Sequence, residues 1–100
     1  MQSGTDQLWD KAKKETEKFL YEYLMKIEWY YGEGRAPFGW PPLFKKRLLG
    51  RKKYTCSLII EDLDYKPLSI SVKNPEEMLG AVRATVYDQF TSFESDMENE

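Results

Sequence analysis

Apolar residues recur at two different periods along this chain, and the changes of period mark its elements. From Asp6 to Tyr31 the period is that of a helix, with Trp9, Ala12, Thr16, Phe19, Leu20, Tyr23, Ile27 and Tyr30 on one stripe. Thr5 is placed to cap its start, Asp6 lies where negative charge suits the helix dipole, and Gly32 and Gly34 stop it. From Lys53 to Glu61 the period falls to two, with Tyr54, Cys56, Leu58 and Ile60 opposing Thr55, Ser57 and Ile59. Leu68, Ile70 and Val72 repeat the alternation against Ser69 and Ser71. The two runs, joined through Asp62-Leu63-Asp64-Tyr65-Lys66-Pro67, predict an antiparallel hairpin with one apolar face and one face made mostly of hydroxyls.

A second helix has the clearest start. Asn74 stands at the N-cap, Pro75 at the first helical position, and Glu76 and Glu77 follow as in a capping box. Leu79, Val82, Val86, Phe90 and Phe93 form its inward face. Off that face, Arg83 and Tyr87 are spaced as an i, i+4 pair on a surface open to a partner. Between the first helix and the hairpin, Pro37, Pro41 and Pro42 bar a regular helix. A short helix is predicted from Pro42 to Leu49, stopped by Gly50.

The expected fold is α+β, a small single domain over residues 1–100 in the order α-β-β-α. Two helices cover the apolar face of an antiparallel hairpin, and a Pro/Gly-rich basic connector links helix and hairpin. Residues 1–5 and 95–100 are expected to be flexible. A two-stranded sheet leaves both edges open, so either a segment of residues 35–50 or another chain is expected to cover one. Hairpins from two copies joining in a homodimer are one such arrangement.

Composition narrows the chemistry. Hydrophobic residues make up 41% of the chain and aromatic ones 15%, more than a disordered chain carries. No apolar run approaches the roughly 18 residues of a membrane span, so no membrane partner is expected. Residues 1–6 have neither the basic nor the apolar region of a secretion signal. A lone cysteine, Cys56, rules out an internal disulfide, and a cytoplasmic setting is expected. The chain has no histidine, which removes the commonest general base and metal ligand. Neither an enzyme nor a cofactor or metal site is expected.

Three local features have ordinary readings. Glu61-Asp62-Leu63-Asp64 has oxygen ligands at one-residue spacing but lacks the glycine and the distal glutamate of a calcium loop, so it reads as a solvated turn. Gly32-Glu33-Gly34 follows a helix, not a strand, and reads as a helix stop and not a phosphate cradle. Cys56 falls on the inward face of a strand, where a thiol behaves as a small hydrophobe.

Charge is distributed unevenly. The net charge is −2, yet seven basic and no acidic residues lie between Arg35 and Ile60. Lys45, Lys46, Arg47, Arg51, Lys52 and Lys53 form the dense part of that run. Residues 61–100 carry ten acids against three bases. The run suits an acidic protein surface, which it would approach by electrostatic steering. It also suits nucleic-acid phosphates, with Phe38, Trp40, Phe44 and Tyr54 near enough in sequence to stack on bases. A third reading is a solvated loop that guards a sheet edge. A pI near 5.3 weighs against a dedicated nucleic-acid binder.

The first helix has a second apolar stripe, Tyr21, Met25 and Trp29, nearly opposite the first. Tyr21, Met25, Trp29, Trp40 and Phe44 are therefore the candidate partner-binding residues, since tyrosine and tryptophan dominate binding hot spots. The leading expectation is a small non-enzymatic protein-binding regulator, an inhibitor or adaptor, acting through this stripe and the basic segment. The alternatives are nucleic-acid binding through residues 38–53 and a purely structural dimerisation or assembly domain.

Overall fold

A computed structural model describes residues 4–32, 36–51, 53–60 and 66–91, without the side chain of Thr5. Gly34, Lys52, the Glu61–Asp64 turn, Phe93 and the 95–100 tail lie outside the described residues, as does the capping group of Thr5.

Helix α1 runs from Gly4 to Tyr31 and occupies most of the 47 Å length of the molecule. It starts two residues earlier than the sequence predicts, a difference ordinary at a helix end. At its far end the Gly32 N–H donates to the Glu28 carbonyl at 2.7 Å. Gly32 then turns the chain at φ 93°, which a side chain would resist. The inward stripe is as expected: Trp9, Ala12, Thr16, Leu20, Tyr23 and Ile27 are all buried. Phe19 and Tyr30, at the margin of the stripe, are half-buried.

The sheet has three strands, not two. Strand β1 (Leu43–Lys46), β2 (Tyr54–Ile60) and β3 (Lys66–Val72) form an antiparallel sheet with β2 in the centre. The α+β class and the β2–β3 hairpin agree with the sequence, but the short helix over Pro42–Leu49 does not form. Instead Leu43 pairs with Ser57 and Lys46 with Tyr54. The chain reverses through Gly50 at φ 112°, and the Arg47 N–H donates to the Lys53 carbonyl at 2.7 Å. Upstream, the Gly39 N–H donates to the Ile59 carbonyl at 2.8 Å, extending the cover of β2 beyond β1. The free edge of β2 is thus satisfied from within the chain, by the backbone that a helix would have consumed.

The two faces of the sheet differ in chemistry. Inward, Tyr54, Cys56, Leu58, Ile60, Ile70 and Val72 are buried beneath the helices. Outward, hydroxyls meet across the β2–β3 ladder, Thr55 with Ser71 at 2.9 Å and Ser57 with Ser69 at 3.1 Å. Directly opposed hydroxyls can bond to each other and still be wetted, so this face needs no cover.

After β3 the Asn74 N–H donates to the Glu77 carboxylate at 3.3 Å. A single 3₁₀ turn over Pro75–Glu77 leads into α2 (Met78–Gln89). The inward row of α2 begins at Met78 and runs on at i, i+4 spacing. Met78 is fully buried and Leu79 only half-buried, whereas the sequence pattern places Leu79 inward. Val82, Val86 and Phe90 are buried as predicted.

One aromatic-rich core results. Phe38, from the proline-rich connector, stacks on Tyr23 at 6.3 Å and meets Phe90 at 5.9 Å. Trp9 closes the other end against Tyr54 and Phe44, at 4.9 and 5.8 Å. Thr16 is fully buried, and its hydroxyl has no hydrogen-bond partner among the described residues.

Candidate functional site

The outer face of α1 carries the first candidate surface. Tyr21, Met25 and Trp29 stand one helical turn apart, and all three are exposed, Trp29 by 90%. The connector reaches this face where Trp40 sets its ring against Tyr21 at 5.8 Å, edge to face. Met25 and Trp29 then border an open groove of about 570 Å³ whose other walls include Glu22, Lys26 and Glu28. Tyr21, Met25, Trp29 and Trp40 are thereby one continuous apolar strip with charged margins. This combination of aromatic centre and polar rim is typical of protein-binding patches.

The second candidate surface is the β1–β2 hairpin tip. Lys45, Lys46 and Arg47 climb one side, Arg51 and Lys53 descend the other, and Leu48 and Leu49 lie at the turn. Lys46 is engaged. Its Nζ donates to Asp6 at 3.0 Å, which raises its pKa above the usual lysine value, and it lies 5.9 Å from the Tyr54 ring. Lys45, Arg47, Arg51 and Lys53 have no ion-pair partner among the described residues. Leu48 and Leu49 are 88% and 86% exposed. The sequence pattern places these leucines in a helix over Pro42–Leu49, which does not form. The signal for a tip was present in Gly50, flanked by bases and followed at once by a strand.

The predicted partner residues do not all come together. Phe44 lies under the hairpin tip, half-buried, with its edge on Trp9. The Asp6 anchor of Lys46 and the Trp29 ring lie on the same helix, roughly 35 Å apart at 1.5 Å per residue. The aromatic strip and the basic tip are therefore separate surfaces. Of the rings placed near the basic run by sequence, Phe38 and Tyr54 are buried and only Trp40 presents substantial area to solvent.

Arg83 and Tyr87 are both exposed, and both also reach across to α1. The Arg83 guanidinium lies 5.4 Å from the Phe19 ring, and Tyr87 meets both Phe19 and Tyr23 near 6 Å, so both tie α2 to α1. Cys56 is fully buried, and its thiol is pushed up to about 12 by that burial and, second, by the charge of Glu17. A thiol so protonated is a packing group at neutral pH. Among the described residues no group of three or more histidines, cysteines or carboxylates is gathered to hold a metal ion. No helix among them is long and apolar enough to cross a membrane.

No protein-family model matches this chain, and neither a curated protein nor a solved structure resembles it. The functional reading therefore rests on these two surfaces alone.

Proposed function

We propose that this chain is a small non-enzymatic protein-binding regulator, of inhibitor or adaptor type, that grips its partner with the outer face of α1. The observation that supports this most is the exposure of Trp29 beside Met25 and Tyr21, with Trp40 extending the strip. Such an arrangement supplies large, stiff apolar anchors at little entropic cost, and a charged margin that fixes orientation. A partner footprint of about 800 Å² centred on Trp29 does not reach the basic tip. At physiological salt charges more than about 10 Å apart are largely screened, so the tip contributes little to such a complex.

The test uses the full chain as immobilised bait, with Trp29→Ala as control, after solution mass has been measured by light scattering. A partner held by the wild-type chain should lose about 2 kcal/mol or more of binding with Trp29→Ala. Equal capture by both rules the strip out. A mass near twice 11.9 kDa that falls to the monomer value with Trp29→Ala would replace the regulator reading with self-assembly through the same face. The nucleic-acid alternative has less support, because two of the four rings it requires lie in the core.

A further inference from the structure

We infer that the β1–β2 hairpin tip is a docking element for a bilayer surface rich in anionic phospholipid, with Leu48 and Leu49 entering the interfacial layer and the flanking bases holding headgroup phosphates. This inference is independent of the aromatic strip. It starts from two consecutive leucines that both stand in water. Both lie in the turn between β1 and β2, where either could fold back onto the body. Neither does, at 88% and 86% exposure. Paired exposed apolar side chains at the protruding end of a fold mark a contact surface.

The charges around them are of one sign. Lys45 and Arg47 precede the leucines, Arg51 and Lys53 follow, and none has an ion-pair partner among the described residues. Behind the tip lies a hollow of about 440 Å³ whose lining adds Lys73 and the half-exposed Leu8 to Arg51 and Lys53. Glu76 is the one acid in that lining, and Asp6, close by, is already bound to Lys46. The tip and the hollow thus offer the same pairing of apolar and cationic groups over a continuous area.

Occupants can be compared by what they do for both kinds of group. A nucleic acid uses the bases and leaves the leucines in water, and Phe38 and Tyr54 are not free to stack. An acidic protein surface uses the bases but needs a pocket shaped for two adjacent leucines. A bilayer serves both without shape matching, because its headgroups are anionic and its interfacial layer accepts apolar side chains of any outline. Attachment of this kind is peripheral and differs from a membrane span, for which no helix among the described residues is long and apolar enough. Each base near an anionic leaflet is worth roughly fivefold in affinity, and each leucine about tenfold.

Flotation of the full chain with phosphatidylcholine vesicles containing roughly one-quarter phosphatidylserine tests this. Binding is expected, with little to vesicles of phosphatidylcholine alone. Leu48→Ser/Leu49→Ser should weaken it by roughly a hundredfold while leaving the thermal unfolding curve in place, since both residues are exposed. Neutralising Lys45, Arg47, Arg51 and Lys53 to Gln should remove the preference for phosphatidylserine. Trp29→Ala should bind vesicles like wild type, which keeps this result separate from the partner reading. Three results would overturn the inference: no vesicle binding at low salt, equal binding by the serine pair, or binding to an oligonucleotide that exceeds vesicle binding and ignores the leucines.

Discussion

On one side of α1, Leu20, Tyr23 and Ile27 are sealed against the sheet and α2; on the other, Tyr21, Met25 and Trp29 stand in solvent. The two faces are similar in composition, so hydrophobicity does not decide between them. What decides is reach. A three-stranded sheet presents one apolar face, and α1 and α2 together fill it. Among the described residues the reverse of α1 is met by the connector, which spends Phe38 on the core and sets Trp40 against Tyr21. A side chain left out for this reason is available for another molecule.

The contrast can be broken most sharply from inside. Leu20→Ala, at a fully buried position, should cost about 2–5 kcal/mol in denaturant unfolding. If it costs as little as a change on the outer face, the two sides are not packed differently. Alkaline pH attacks the same interior through Cys56. Below pH 9 the thiol keeps its proton folded or unfolded; between about 9 and 12 only the unfolded chain releases it, so stability falls as pH rises. By pH 11 that amounts to about 3 kcal/mol, and Cys56→Ala should flatten the slope of stability against pH over this window. A smaller effect of opposite sign belongs to Thr16. Its buried hydroxyl has no partner among the described residues, so Thr16→Val should raise the unfolding free energy by about 1 kcal/mol. Trp29→Ala should change stability by less than about 0.5 kcal/mol, the measure of a face that the fold does not use.

The sequence revealed those parts of the fold in which the side chains alone specify the surface. The β2–β3 hairpin was legible because Tyr54, Cys56, Leu58 and Ile60 alternate without exception and every alternate position is polar or half-buried. Strand β1 was hidden by Lys46. That residue occupies an inward position, laying its stem by Tyr54 and delivering its amine to Asp6, so a period of two in Leu43-Phe44-Lys45-Lys46 reads as none. The identity of β1 comes from the open edge of β2, a long-range demand that local pattern does not express. At the start of α2 the inward residue is Met78 and not Leu79, because Val82, Val86 and Phe90 continue an i, i+4 row that reaches back to Met78, with Leu79 at its margin. Of the candidate surfaces, the doubled stripe of α1 was readable from spacing. The separation of Phe44 from Trp40, four residues away, was not, because it depends on the chain turning into β1 between them.

A single uninterrupted helix joins the two surfaces, and that fixes a length. Whatever the basic tip rests on, a protein held at Trp29 sits at a set height above it, roughly 35 Å along an axis too short to bend appreciably. Between them α1 acts as a ruler, and lengthening it by a whole number of turns would move the partner without altering either grip.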